Sequence, residues 1–324
     1  MKYDGLIDLH LHLDGSLSLP SVRELAAMQG IEIEKDDADL LRKLQVSPTC
    51  RDLNEYLEKF DFPCSLLQTE AAITRSVANL CAELAQQGLL YAEIRFAPQL
   101  HLLKGLNQQQ VVEAAMAGLD HEKFKANLIL CCMRGFDNHE ANLETVRVAS
   151  KYVGQGVCAV DLAGAEALFP TEHFEDLFTL ARELGVPYTI HAGEACGAES
   201  VYTALRFGTK RLGHGVRSIE DDALVERLAA EGVALELCPT SNLNTSIFER
   251  IEDYPLRKLM AAGVKVTVNT DNMMVSGVTL ASELEKLRLT KEELHTLALN
   301  AAEASFASAD VKEWLKREIG ARFS

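Results

Sequence analysis

Residues 6–14 read LIDLHLHLD, a strict alternation of apolar and polar side chains from Ile7 onward. Side chains on a β-strand point alternately to opposite faces, so parity assigns each residue a side. Ile7, Leu9, Leu11 and Leu13 share one face; Asp8, His10, His12 and Asp14 share the other. In a barrel the apolar row faces the surrounding helices and the polar row faces the interior. Four buried polar groups in a row cost several kcal/mol if left unpaired. A metal ion compensates them directly, and imidazoles two residues apart on one strand can both reach a single ion.

Seven further β-rich runs follow, at 89–98, 127–134, 157–164, 187–194, 211–215, 233–241 and 264–271. Stretches of helical period lie between them. SVRELAAMQG and HFEDLFTLARELG each repeat apolar residues at helical spacing and stop at a glycine. Eight strands alternating with helices predict an α/β fold with a parallel sheet, and eight is the number that closes a TIM (β/α)8 barrel. About 75 residues separate the first two strands, so residues 20–85 form a helical insertion after strand 1, placed to cover the active site. Past residue 279 the pattern is helical to the end, with Thr290 as N-cap of KEELHTLALNAAEAS. The length suggests about two domains at roughly 150 residues each, but an α/β barrel fills it as one, and no linker divides residues 1–324.

Composition narrows the function classes. With 48% hydrophobic and 25% charged residues the chain is globular rather than disordered or fibrous. A net charge of −16, with no dense Lys/Arg run, argues against a nucleic-acid partner. No apolar run spans a bilayer, and the start, MKYDGLIDLHLHLDG, has acids and histidines where a signal peptide needs an apolar stretch. Eight scattered cysteines without a CxxC pair fit a reducing compartment. A cytoplasmic protein with no membrane association is the expectation.

Further candidate ligands stand at later strand ends: His191 in TIHAGE, His214 in RLGHG and Asp271 in VTVNTD. Barrel enzymes place catalytic groups at that edge. Imidazoles and a carboxylate suit Zn²⁺ with one position kept for water. His101, His121, His139, His173 and His295 read as surface or packing residues. Glu93 and Arg95 share a parity and read as a buried structural pair; Cys131 and Cys132 read as core.

The segments HLHLDGS (10–16), DLAGAE (161–166), HAGE (191–194), RLGHG (211–215), CPTSN (238–242) and NTD (269–271) together resemble the adenosine deaminase family of metal-dependent amidohydrolases, over essentially the whole chain. The resemblance implies a TIM barrel with extra helices after strand 1. It implies one Zn²⁺ per chain on His10, His12, His191 and Asp271, with an activated water. His214 would orient that water and take or stabilise its proton, and Glu194 would protonate purine N1 as hydroxide attacks C6. Gly164 would approach the purine through its amide, and Asp14 would bind the ribose hydroxyls. The implied reaction converts adenosine, and 2′-deoxyadenosine, to inosine and ammonia. Many members carry a second aspartate after the ligand aspartate, contacting purine N7; here it is Asn272, whose amide can donate there as well.

Rival readings fit less well. Strand 4, VCAVDLAG, has no lysine to bridge two metals, and Pro63-Cys64 is not followed by the second cysteine of the P-C-x-x-C zinc deaminases. Asp14 would repel the phosphate of AMP. Free adenine would leave Asp14 without a sugar partner, and a nucleoside-binding barrel without turnover would not need every acid and ligand position filled.

Overall fold

Parallel pairing runs through eight strands: β1 Leu6–His12, β2 Leu89–Phe96, β3 Lys125–Met133, β4 Val157–Ala163, β5 Ile190–Ala192, β6 Arg211–His214, β7 Ala234–Leu237 and β8 Lys265–Val268. They are seen in a computed structural model that describes residues 5–47 and 49–323. β1–β4 pair in sequence order, as do β5–β8. Two seams join the sets. The Val160 N–H donates to the Pro187 carbonyl (3.0 Å) and the Thr189 N–H to the Val160 carbonyl (3.1 Å). On the other side the His12 N–H donates to the Asp271 carbonyl and the Asp271 N–H to the His10 carbonyl, both 2.7 Å. The result is a TIM barrel, with helices between successive strands.

The parity of β1 is realised on both faces. Ile7 and Leu9 pack with Ala298, Ala301, Leu315 and Ile319 of helices Lys291–Ala304 and Ala309–Phe323. Leu11 and Leu13 join the main core. Each fully buried leucine contributes roughly 1.5–3 kcal/mol. Asp8 and His10 on the opposite face have no solvent exposure.

The barrel interior corrects one expectation. Glu93 and Arg95 do not pair with each other. Arg95 reaches Asp161 Oδ2 on β4 and Glu236 Oε2 on β7, both at 2.7 Å, while Glu93 takes Arg211 Nη2 from β6 at 2.6 Å. Residues two apart on a strand stand nearly 7 Å apart along it. Side chains reaching across the barrel find nearer partners.

The segment between β1 and β2 holds helices Leu19–Gln29, Asp37–Leu44, Leu53–Leu57, Asp61–Leu66 and Glu70–Gln86. The first ends at Gly30 in the left-handed region (φ 65°), the glycine stop read from sequence. The last runs directly into β2 and is a barrel helix, so the added structure precedes it. Three strands stop three or more residues short of their sequence runs in all. β5 stops where Gly193 turns the chain at φ 74°. β7 stops before Pro239, which lacks the N–H a ladder needs and instead opens helix Pro239–Asn244. β8 ends at Val268, leaving Asp271 three residues beyond it. There Asn269 Oδ1 accepts the Leu9 N–H at 2.9 Å, continuing the seam by a side chain. Thr290 caps helix Lys291–Ala304 in a capping box with Glu293. Among the described residues no helix is long and apolar enough to cross a membrane.

Candidate active site

The C-terminal mouth of the barrel brings five ligand candidates from four places in the chain into one cluster. His10 Nε2 lies 3.3 Å, and His12 Nε2 3.4 Å, from Asp271 Oδ1. The His10 and His191 rings are 4.5 Å apart, and those of His191 and His214 5.2 Å. Ligand atoms of His10, His191, His214 and Asp271 all fall within 4.8 Å of one another.

Buried carboxylates aim two of the imidazoles. His10 Nδ1 is 2.8 Å from Glu236 Oε2, and His191 Nδ1 is 2.8 Å from Asp161 Oδ2. Arg95 bridges Asp161 and Glu236 at 2.7 Å each. Carboxylates accept only, so His10 donates from Nδ1 and turns its Nε2 lone pair to the mouth, the arrangement common around metal-bound histidines, while His191 sets its Nδ1 against Asp161 in the same sense.

The donor set fits a cation. His10 Nε2 is fully buried and makes no hydrogen bond, an orphan that a metal would satisfy. Ligands about 2.1 Å from a tetrahedral ion lie about 3.4 Å from one another. The His10–Asp271 and His12–Asp271 separations match that spacing.

Local backbone serves the same cluster. His214 (φ 56°) and Asp271 (φ 59°) both occupy the left-handed region at strand ends. Such conformations in non-glycine residues cost about 1–3 kcal/mol and collect at functional sites. A Cβ on Gly213 would stand 3.1 Å from both His10 Cε1 and His191 Cγ, so a glycine between these rings lets them approach.

Glu194 is buried just beyond β5, with its Oε2 3.6 Å from His214 Nε2. Burial first, then the charges of Asp271 and Glu166, hold its carboxyl well above the ordinary range, which favours the protonated acid. Burial alone would raise Asp271 too, but the imidazoles packed around it, His10 first, hold it far below the carboxylate range. Burial lowers His12, His191 and His214, keeping them neutral.

A cavity of about 460 Å³ opens over this cluster, and His12, Asp14, Gly164, His191, Glu194, His214, Asp271 and Asn272 all line it. His10 lies beneath its floor. Gly164, at φ 107°, presents backbone where a side chain would project. Leu53, Tyr56, Leu57 and Phe60 from the segment after β1 line the cavity as well. Asp14 is buried, which lifts its carboxyl to about 6.

Asp161, Glu166 and Glu236 are the residues that motif reasoning passed over. Asp161 and Glu166 bracket the quoted DLAGAE segment, but strand parity alone says nothing of partners across the barrel. Glu166 is buried and accepts from the backbone N–H groups of Gly193, Glu194, Ala195 and Cys196, at 2.8 to 3.1 Å, fixing the loop that carries Glu194. Of the remaining histidines, His101 is buried against Phe96, His139 and His173 are exposed, and His295 stacks on Phe323. Cys131 is buried and lines the cavity.

The chain's likenesses agree with this geometry. The model of the family described as adenosine deaminase matches residues 6–322. An adenosine deaminase of Haemophilus ducreyi is 47% identical over 98% of this chain and 96% of its own length. The solved adenine deaminase of Arthrobacter aurescens superposes with a TM-score of 0.89 at 29% identity, covering 98% of this chain and 99% of its own. An Arabidopsis structure in complex with IMP reaches 0.85 at 25% identity, over 98% and 96%.

Proposed function

The chain belongs to the adenosine deaminase family, and on that premise we propose that it hydrolyses adenosine, and 2′-deoxyadenosine, to inosine and ammonia with one Zn²⁺ per chain. The observation that carries this reading is a buried Glu194, its carboxyl pushed well above the ordinary range by burial, beside a His/Asp cluster at the floor of one cavity.

In this reading His10, His12, His191 and Asp271 hold the metal. When bound, zinc would lower the pKa of a coordinated water from 15.7 to about 7. Glu194 faces N1 of the purine. Addition of a hydroxyl at C6 pushes electrons onto N1, and Glu194 delivers its proton there; positioned acids of this kind contribute about 10²–10⁴-fold. His214 stands against the attacking oxygen and Glu194. The Gly164 amide approaches the base, Asn272 donates to N7 and Asp14 accepts from the ribose hydroxyls.

The cavity's charges favour a nucleoside over a nucleotide. Asp14 and Asp61 line it. Among the described residues that line it, Arg134 is the one Lys or Arg, and its guanidinium is engaged by the carbonyls of Phe169 and His191, each at 2.6 Å, and by Thr171. A phosphate would meet carboxylates and no free cation. Adenine or another adenosine derivative is the second reading, supported by the likeness to the Arthrobacter aurescens adenine deaminase.

The span of the family match supports residues 1–324 as one catalytic domain, and the added helices before Glu70–Gln86, whose Leu53, Tyr56, Leu57 and Phe60 line the cavity, cover the site. All eight cysteines are free thiols, which supports a cytoplasmic setting. An ammonia-release screen across adenosine, 2′-deoxyadenosine, adenine and AMP tests the proposal. Adenosine and its deoxy form should lead; preference for adenine or AMP would replace the substrate assignment.

A further inference from the structure

We infer that Tyr254 and Asn242 lock His214 in the tautomer that carries its proton on Nε2, making this nitrogen a hydrogen-bond donor at the site rather than a metal ligand. The Tyr254 hydroxyl donates to Asn242 Oδ1 at 2.9 Å. With its oxygen taken, the amide turns its NH2 group to His214 Nδ1, 3.1 Å away. An amide NH2 can only donate, so Nδ1 must offer a lone pair, and a neutral imidazole then carries its proton on Nε2.

Three observations fix the direction of this relay. Asn242 and His214 are essentially without solvent exposure and Tyr254 is buried, so water does not substitute for a lost partner. Rotating the amide would set NH2 against the phenol and strip the phenol proton of its acceptor. The neighbouring rings show the opposite chemistry: His10 and His191 face the carboxylates of Glu236 and Asp161 with Nδ1 and so keep a lone pair on Nε2. An amide in the one place and carboxylates in the other divide three clustered imidazoles by role. His214 lies within ligand distance of His10, His191 and Asp271 but presents a hydrogen there. Its Nε2 lies 3.6 Å from Glu194 Oε2, on the cavity side that both residues line. His214 therefore faces the attacking oxygen of the deaminase reading as a donor. Asn242 and Tyr254 are positioning residues acting through it.

The catalytic part of this inference rests on the deaminase reading; the tautomer does not. The experiment is ¹⁵N NMR of the zinc-loaded protein labelled at the histidine rings, with the His214 signals assigned by their loss in His214→Gln. The native protein should show a protonated Nε2 and a bare Nδ1 at His214. Asn242→Asp places an acceptor-only group against Nδ1 and should invert the tautomer, with kcat falling about 10²-fold. Tyr254→Phe frees the amide and should give a mixture of tautomers, with kcat down about 10- to 100-fold and KM within about twofold. A protonated Nδ1 in the native spectrum, or an unchanged tautomer in a folded Asn242→Asp, overturns the inference. Should either variant fail to fold, the native spectrum decides alone. Absence of ammonia release with the expected spectrum would sink the deaminase reading and leave the tautomer assignment standing.

Discussion

His10 Nδ1 sits 2.8 Å from Glu236 Oε2, and the same oxygen is 2.7 Å from Arg95 Nη2. One buried carboxylate thus orients an imidazole and is itself held by a guanidinium that also grips Asp161, the partner of His191. Glu236→Gln should weaken metal retention about 10- to 100-fold, the usual loss when such a partner is removed. Competition of the zinc-loaded protein against a chelator measures it. Metal affinity equal to that of the native chain would show that Glu236 merely fills the barrel.

Glu194→Gln keeps the shape of the acid and removes the proton it delivers. Turnover of adenosine should fall about 10²–10⁴-fold while bound metal and fold persist. Steady-state kinetics with metal analysis of the same sample checks this; a rate within a few-fold of native would exclude Glu194 as the proton donor.

The pH profile follows from the direction of the shifts. Glu194 works protonated, and burial raises its pKa, so kcat should hold through neutral pH and decline as pH rises through that raised value. Burial lowers His12, His191 and His214, so the fall on the acid side should begin below the ordinary histidine pKa of 6.5. A decline across pH 4 to 5 on the rising side, as for an exposed carboxylate, contradicts the assignment.

Gly213→Ala tests the packing between the rings. Its new Cβ would meet His10 and His191 at 3.1 Å, tighter than ordinary contact. We expect reduced metal content with far-ultraviolet circular dichroism unchanged. Full metal occupancy would mean the rings move aside freely.

Asp14 carries a stability cost that function requires. Its carboxyl titrates near 6 in the fold against 3.8 ordinarily, because burial opposes its charge. Between those values the folded chain holds a proton that the unfolded chain has released, so stability falls as pH rises and the penalty is complete above about 6. That difference corresponds to about 3 kcal/mol. Asp14→Asn should raise the Tm at pH 8 but not at pH 4, while KM for adenosine rises. An unchanged Tm at pH 8 would refute the burial cost.

Much of this architecture was legible in the sequence because it is written in short periodic runs. The alternation at 6–14 separates the rows of β1, and histidines and acids at strand ends are brought to one mouth because every strand runs in the same direction. Partners across the barrel were not legible. Arg95 meets Asp161 and Glu236 rather than Glu93, a choice made by barrel width and side-chain length that no local pattern records. Glu166 escaped for the same reason, since its role appears only when the loop at 193–196 folds over it. Strand ends fall short of the sequence runs where the chain leaves the ladder before the motif residues, as at Pro239 and Asp271.

The central claim is that the barrel mouth makes one bound zinc and Glu194 act together on adenosine. Its most direct measurement is inosine formation by the chain stripped of metal and then titrated with Zn²⁺. The account predicts no turnover in the stripped protein and activity that rises to a plateau at one zinc per chain. Full turnover in the metal-free protein, or zinc bound at that ratio without inosine, would contradict it.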